Sequence, residues 1–97
     1  MINVGMYYDV KPGHENEFES IFSGVAESLR SSGTGIKDAK LYREVGKREY
    51  LIYSEWESLD AFKQFMQSRA FGETISRGKE IIEGRPRHKV LASVEGF

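Results

Sequence analysis

Trp56, the only tryptophan in the chain, lies where a strand-like alternation of apolar residues gives way to a helix-like one. Its indole could stack on a planar substrate and donate its N–H to a developing oxyanion; otherwise it closes the core at the end of a strand. Phe62 and Phe65 follow at helical spacing, and they would either exclude water from a pocket or, as most apolar helical stripes do, fill the core. These three rings are the first candidates for a ligand site.

Phenols and one imidazole are the candidates for proton chemistry. Tyr8, Tyr50 and Tyr53 could each orient a substrate hydroxyl or carbonyl, although a buried tyrosine with a satisfied hydroxyl is the commoner outcome. His88 could accept a proton from an acidic phenol, or it could simply be exposed to solvent. His14 precedes a predicted helix and is expected to be inert.

Two groups of charged residues have weaker functional interpretations. A basic cluster near the end of the sequence could hold a phosphate or a carboxylate, although such runs are usually solvated. It comprises Arg85, Arg87, His88 and Lys89. Glu55 and Glu57 could act as an acid–base pair on one strand face, or they could form a solvated strand edge. Neither histidine has an acidic ligand motif near it, so no metal site is predicted.

The composition restricts the class of protein. The chain has 97 residues, which is enough for one domain with a modest core. Its 14 basic and 15 acidic residues are interspersed, so no strong field favours nucleic acid or an anionic membrane, and a small ligand fits better. Cysteine is absent, which excludes disulfides and thiolate chemistry. No signal peptide or membrane-spanning apolar run is recognisable, so a cytoplasmic protein is expected.

The first part of the sequence predicts a strand, a helix and a second strand. Residues 2–10 alternate between apolar and polar side chains, as a strand with one buried face does. Pro12-Gly13 ends that strand, and a helix beginning near residue 13 or 14 would run to Gly33. Its buried stripe would be Phe18, Ile21, Phe22, Val25, Ala26 and Leu29. The apolar face of the second strand would comprise Ala39, Leu41 and Val45.

A tight turn at Gly46-Lys47 would lead into a third strand that ends at Trp56. Ser58 would then cap a helix. The apolar face of this helix would consist of Ala61, Phe62, Phe65 and Met66.

After Ser68-Arg69 the helical pattern becomes irregular and continues to Ile81 and Ile82, which predicts a broken or kinked helical region. Residues 84–87 are predicted to be a turn before a last strand. The apolar positions of that strand would be Val90, Ala92 and Val94. The order βαββαβ is that of an α+β, ferredoxin-like fold, with a four-stranded antiparallel sheet and helices on one of its faces.

The second face of this sheet would be uncovered. It would carry Leu51, Tyr53, Leu91 and the odd-numbered positions of the first strand. An exposed surface of mixed apolar and aromatic side chains is typical of an interface between copies. We therefore expect a homodimer formed through the open sheet face.

Three segments resemble the antibiotic biosynthesis monooxygenase superfamily, whose members are dimeric α/β barrels. They are Val10–Phe18 with the helix that follows, Ser54–Phe62 and Ser68–Phe71. The resemblance covers nearly the whole chain and implies a single domain over residues 1–97. For activity it implies only a set of alternatives. The superfamily includes cofactor-free oxygenases of quinols and anthrones, haem-degrading enzymes, an isomerase and members of unknown activity.

The superfamily that the chain resembles has a haem-degrading branch with a pattern of its own. The pattern is an asparagine on the first strand, a tryptophan in the second helix and a histidine ligand beyond it. Alignment on Trp56 places these positions at Met6, Phe65 and Ile75. Ile75 cannot ligate iron and Met6 cannot donate a hydrogen bond to bound oxygen, so this chemistry is disfavoured. Haem would need another ligand, for instance His88.

The resemblance and the candidate residues together predict a monooxygenase that uses no cofactor and acts on a small electron-rich aromatic of the quinol or anthrone type. Such a substrate, once deprotonated, can itself reduce dioxygen, so the protein need only bind the anion and exclude water. The predicted catalytic residues are Trp56, His88 and Tyr8, and the predicted substrate-binding residues are Tyr53, Phe62 and Phe65. The alternative is a non-catalytic dimeric barrel that binds a small ligand.

Overall fold

The computed structural model describes residues 1–31 and 35–94. Its elements, in chain order, are β1 (Ile2–Val10), α1 (Glu15–Ser31), β2 (Ile36–Arg43), β3 (Glu49–Trp56), α2 (Leu59–Met66), α3 (Arg69–Gly78) and β4 (Ile82–Ala92). The strands form an antiparallel sheet in the order β2-β3-β1-β4. This arrangement confirms the predicted α+β, ferredoxin-like fold.

The register of β1 with its two neighbours decides which side chains share a face of the sheet. Met6 is paired with Ile52 of β3 and with His88 of β4, so these three side chains project from the same face. That face meets the helices, because Val4, on the same side of β1, is fully buried against α2 and α3. The odd-numbered positions of β1 therefore point away from the helices, as the alternation predicts.

Serine caps divide the second helical region. The Ser58 hydroxyl accepts a hydrogen bond from the Ala61 amide at 3.2 Å at the start of α2. The Ser68 hydroxyl accepts one from the Phe71 amide at 3.2 Å and so begins α3. The predicted break after α2 is therefore confirmed. None of the helices in the described ranges is both long and apolar enough to cross a membrane.

Most of the buried apolar side chains in the described residues form two clusters. The first is built around the tryptophan and comprises Val4, Trp56, Phe62, Phe65 and Phe71. The second comprises Val10, Phe18, Tyr50 and Ile81. Both are held by tilted or edge-on aromatic pairs with centroid separations between 4.8 and 5.6 Å.

Four apolar residues lie outside the elements predicted for them, namely Val45, Ile81, Ile82, which begins β4, and Val94, which follows the end of β4. Val45 is 97% exposed, because β2 ends at Arg43 and a hydrogen bond from the Lys47 amide to the Glu44 carbonyl closes a turn across it. Ile81 lies beyond the end of α3 and packs into the second core cluster. The predicted helix stop at Gly33 falls outside the described residues, as do the side chains of Val25 and Leu29.

The predicted turn at residues 84–87 is wrong, because this segment belongs to β4. The pairing of β4 with β1 shifts between Tyr7 and Asp9, so the extra residues form a bulge. Gly84 has a φ of +67°, which glycine adopts without steric cost. Pro86 lacks an amide donor and is tolerated because a bulge in an edge strand leaves that position unpaired.

Tyr50 makes the stability of the fold depend on pH in the alkaline range. Burial and a 2.6 Å hydrogen bond from its hydroxyl to Glu19 Oε2 raise the pKa of Tyr50 from 10.0 to about 12. The protonated phenol therefore contributes stability that is fully present below about pH 10, the usual pKa of an unfolded tyrosine, and is lost as the pH rises through about 12.

We expect the free energy of unfolding of the natural sequence to fall between pH 10 and 12 more steeply than that of Tyr50→Phe. At neutral pH the substitution should cost roughly 1 kcal/mol, the typical net value of one hydrogen bond. Urea titrations at a series of pH values measure both effects. If the unfolding free energies of the two proteins change in parallel with pH, the Tyr50 hydroxyl is not held by burial and the Glu19 hydrogen bond.

Candidate functional site

A cavity of about 500 Å³ lies between the sheet and the helices. This volume is in the range of small-molecule sites. Every strand and helix contributes to its wall, and both core clusters reach it. The lining residues are Met6, Tyr8, Phe18, Ile21, Phe22, Ile36, Ala39, Ile52, Ser54, Trp56, Phe62, Phe65, Met66, Phe71, Thr74, Ile75, Gly78, Lys79, Ile82, Gly84, Arg85, Pro86 and His88.

The cavity brings together most of the residues that the sequence singles out. Its wall contains Tyr8, Trp56, Phe62, Phe65 and His88. They converge because the inward positions of β1, β3 and β4 share the sheet face that the helices cover, and the Ser58 cap sets where α2 begins on that face. Their function stays a prediction, but their placement in one cavity is a property of the fold.

Trp56 is 1% exposed and forms one wall of the cavity. Its ring lies 5.5 Å from that of Phe62 and 5.2 Å from that of Phe65, measured between centroids. Its indole N–H donates to the Ser54 hydroxyl oxygen at 2.9 Å. The ring is thus a closely packed part of the cavity wall, and the N–H that was predicted to reach an oxyanion is already engaged.

Ser54 is a cavity residue that the sequence reasoning missed. Its side chain is 5% exposed, and its oxygen accepts from Trp56, so its own hydroxyl hydrogen remains available to donate. The signal was a polar residue at an inward position of β3, between Ile52 and Trp56. At this end of the cavity, the uncommitted hydrogen of the pair is therefore that of the Ser54 hydroxyl and not that of the indole.

Tyr8 lies on the cavity face of β1, with its ring 5.6 Å from that of Phe18. Burial raises the pKa of the Tyr8 phenol, so the group stays protonated at neutral pH. Within the described part of the chain, no residue forms a hydrogen bond with its hydroxyl. The phenol is therefore a donor that a ligand could use.

His88 stands on β4 opposite Met6 and is exposed, so its imidazole lies at the mouth of the cavity. It can exchange protons with solvent and with a ligand in the mouth. His14 is remote from this site and forms an exposed contact of 3.0 Å with Glu17.

Tyr53 is the predicted substrate-binding residue that the structure places elsewhere. It is paired with Gly5, on the sheet face that points away from the helices, and it does not line the cavity. Its hydroxyl accepts a hydrogen bond from Asn3 Nδ2 and donates one to Glu55 Oε1 at 2.8 Å, and the latter bond raises the pKa of Tyr53. Strand alternation puts residues 53 and 54 on opposite faces, so the predicted role of Tyr53 cannot be exerted in this cavity.

The predicted pairing of Glu55 with Glu57 on one strand face is also wrong. β3 ends at Trp56, so Glu57 lies beyond the strand, and its amide donates to the Gly35 carbonyl at 2.8 Å. Glu55 accepts the hydroxyl of Tyr53 on the face opposite the cavity. Neither carboxylate can act on a ligand in the cavity.

The basic cluster of β4 is divided between the two faces of the sheet. Arg85 and His88 line the cavity, whereas Arg87 and Lys89 are paired with β1 residues of the opposite face. Arg87 forms an ion pair of 3.3 Å with Glu49. Lys79, just after α3, joins the cavity side and was not recognised from the sequence.

The sequence matches the antibiotic biosynthesis monooxygenase family over residues 1–77. Two curated relatives, each named "Putative heme-binding protein", come from Natronomonas pharaonis and Halobacterium salinarum. They are 33% and 32% identical over 92% of this chain. The chain spans only 15% and 18% of their lengths.

Solved structures share the fold. A variant of SnoaB, a cofactor-independent oxygenase from Streptomyces nogalater, superposes with a TM-score of 0.84 at 21% identity, over 98% of this chain and 94% of that one. A conserved protein from Methanosarcina mazei superposes with a TM-score of 0.85, also at 21% identity, over 93% of this chain and 89% of that one. With the family match extending over most of the sequence, the chain belongs to the antibiotic biosynthesis monooxygenase family.

Proposed function

We propose that the protein is a monooxygenase that uses no cofactor and oxidises a small electron-rich aromatic substrate inside this cavity. The observation that carries the proposal is the convergence of Tyr8, Trp56 and His88 on one apolar cavity of about 500 Å³. The family supports it, since SnoaB, whose fold the chain shares, is named a cofactor-independent oxygenase.

The proposed reaction begins with loss of a proton from the substrate. His88, at the mouth, accepts it. The hydroxyls of Tyr8 and Ser54 donate hydrogen bonds to the substrate anion, while Trp56 stacks on its ring and Phe65 helps to exclude water.

The anion then supplies the electrons that reduce dioxygen. For an anthrone, one oxygen atom becomes bonded to the CH₂ carbon and the other leaves as water. The CH₂ group loses both hydrogens and becomes a carbonyl, so the substrate is oxidised to the quinone. The residues of the chain need only hold the anion, receive its proton and return that proton to the departing oxygen.

The test is oxygen consumption by the metal-free protein with a panel of hydroquinones and anthrones, after subtraction of protein-free autoxidation. We expect uptake that saturates with substrate, and a kcat lowered by about 100-fold or more in His88→Ala, as loss of a general base usually costs. His14→Ala is the matched control, because His14 is exposed and outside the cavity. If no oxygen uptake exceeds the background, the oxygenase proposal is contradicted and the non-catalytic binding module remains as the alternative.

Haem binding is a second candidate, because the relatives from halophilic archaea carry that name. Ile75 lines the cavity at the position where the haem-degrading branch has its histidine, and it offers no donor atom. His88 is the histidine among the described lining residues, so its imidazole would hold the iron. The haem would supply oxygen activation. Addition of haem should then give a Soret band that His88→Ala shifts or loses; an unchanged spectrum of free haem would exclude this candidate.

We also infer that two copies associate through the sheet face that carries Tyr7 and Leu51. On that face Tyr42 is 50% and Leu91 is 55% exposed, and residues 83–92 of the edge strand β4 are all exposed. Such a surface favours burial against a second copy. Light scattering at micromolar concentration should give twice the monomer mass of 11.1 kDa, and a monomeric mass would contradict the inference.

A further inference from the structure

The charged part of the cavity wall has a single sign. Of the lining side chains, Lys79, Arg85 and His88 can carry positive charge, and no aspartate or glutamate among the described residues lines the cavity. The remaining wall is mainly aliphatic and aromatic. A neutral apolar ligand would not use these cations, whereas an anionic group on an apolar ligand would be attracted to them.

The cations lie at one end of the cavity. Arg85 is in the bulge of β4, between the residues paired with Tyr7 and Asp9, and therefore stands opposite Tyr8. Lys79 is close to the same end, because the chain just after it reaches the pairing of Ile82 with Val10.

The tryptophan marks the other end. Trp56 is paired with Ile2, at the opposite end of β1 from Tyr8. The two backbone positions on β1 are separated by roughly 20 Å at the usual rise of about 3.3 Å per residue, and the Trp56 ring, which packs with Val4, covers part of that distance. A ligand that reaches from the ring of Trp56 to the cations must therefore be elongated, with several fused rings or a ring bearing a side chain.

Neither Lys79 nor Arg85 has an ion-pair partner within residues 1–31 and 35–94. Arg87, two positions further along β4 but on the other face, is by contrast paired with Glu49 at 3.3 Å. Unpaired cations beside an apolar cavity keep their field for a ligand, because no fixed carboxylate cancels it.

From this arrangement we infer that the cavity binds an elongated aromatic acid, with its rings against Trp56 and its carboxylate at the mouth between Lys79 and Arg85. This ligand class refines the substrate proposed above and rests on that proposal's use of the same cavity. It differs from the phenolic group in the reaction, because the carboxylate anchors the molecule and is not changed.

Binding can be measured without turnover, since the single tryptophan lines the cavity and reports on it by fluorescence. The probes are anthraquinone-2-carboxylate and its neutral analogue 2-(hydroxymethyl)anthraquinone, which have the same rings and cannot serve as anthrone substrates. We expect the acid to quench Trp56 and to bind about tenfold more tightly than the alcohol, as for a charge-assisted contact worth somewhat more than 1 kcal/mol. The difference in affinity between the acid and the alcohol should decrease as salt is added, because salt screens the attraction between charges.

Substitutions identify the residues responsible. Arg85→Gln and Lys79→Gln should each weaken binding of the acid by roughly three- to tenfold and leave binding of the alcohol unchanged. Arg77→Gln is the control, because Arg77 is an exposed residue of α3 that carries the same charge and does not line the cavity. Similar affinities for acid and alcohol, an equal effect of Arg77→Gln, or no quenching by either probe would overturn the inference.

The two proposals fail separately. Selective binding of the acid, with no oxygen uptake for any quinol or anthrone, would retain the ligand class and remove the oxygenase. Oxygen uptake with neutral anthrones, together with no preference for the anthraquinone acid, would retain the oxygenase and overturn the ligand class.

Discussion

Replacing Trp56 by alanine is expected to lower the free energy of unfolding by about 3–5 kcal/mol, the usual cost of emptying a large buried aromatic site. The ring is 1% exposed and packs on Phe62 and Phe65 from two directions. The loss is a large part of the roughly 5–15 kcal/mol that stabilises a typical domain. Urea unfolding followed by far-ultraviolet circular dichroism measures it without the tryptophan signal.

Because Trp56→Ala could prevent folding altogether, Trp56→Phe provides the second measurement. It retains most of the packing and removes the indole N–H, so we expect a loss of roughly 1–3 kcal/mol, the cost of a buried polar group left without its partner. A loss under about 1 kcal/mol for the alanine variant would show that the site collapses around the gap, contrary to a wall that holds a cavity open.

The hydrogen bond to Ser54 can be separated from the packing by a double-mutant cycle. Ser54→Ala leaves the buried indole N–H unpaired, and Trp56→Phe leaves the serine hydroxyl without its donor. The variant with both changes removes donor and acceptor together. It should therefore be less destabilised than the sum of the single variants, by roughly 1–2 kcal/mol. If the losses of unfolding free energy of the two single variants simply add up in the double variant, the hydrogen bond between Trp56 and Ser54 is contradicted.

Local signals account for the parts of the fold that the sequence predicts correctly. Strand β1 shows its alternation because one face is buried and the other is not. The serines at 58 and 68 cap helices through contacts with amides three residues away, so short-range chemistry is enough to place the start of α2 and of α3.

Pairing between strands decides what the sequence could not show. Gly84 and Pro86 are turn formers, and they are equally compatible with a bulge; the choice depends on how β4 aligns with β1, which local preference does not encode. The same pairing places Tyr53 on the face opposite the cavity.

The site was predictable where aromatic side chains mark it, and less so where polar ones do. Trp56 and Tyr8 stand out by residue type and by their inward positions. Ser54 and Lys79 belong to common residue types, and only the three-dimensional arrangement shows that both line the cavity and that Ser54 accepts the indole N–H of Trp56. Chemistry that depends on contacts between distant elements therefore has to be read from the structure.

Gly35→Ala should be the most damaging change among the connections between elements. Gly35 has a φ of +84°, and a Cβ added there would lie 2.9 Å from the Cβ of Ala61 in α2. Its carbonyl also accepts the Glu57 amide at 2.8 Å, which ties this connection to the end of β3. The backbone strain of roughly 1–2 kcal/mol is thus joined by a steric clash, and a total loss of about 2–4 kcal/mol is expected.

Gly46→Ala separates the strain from the clash. Gly46 has a φ of +79°, and beyond its two chain neighbours no described atom lies within 4 Å of an added Cβ, so the strain alone should cost about 1–2 kcal/mol. Urea titrations of the two variants measure the difference directly. Because α2 carries two of the rings that line the cavity, Gly35→Ala should also change the fluorescence of Trp56, whereas Gly46→Ala should leave it unchanged. Equal losses for the two variants would mean that α2 can move away from Gly35, and the cavity wall would then be less rigid than its packing indicates.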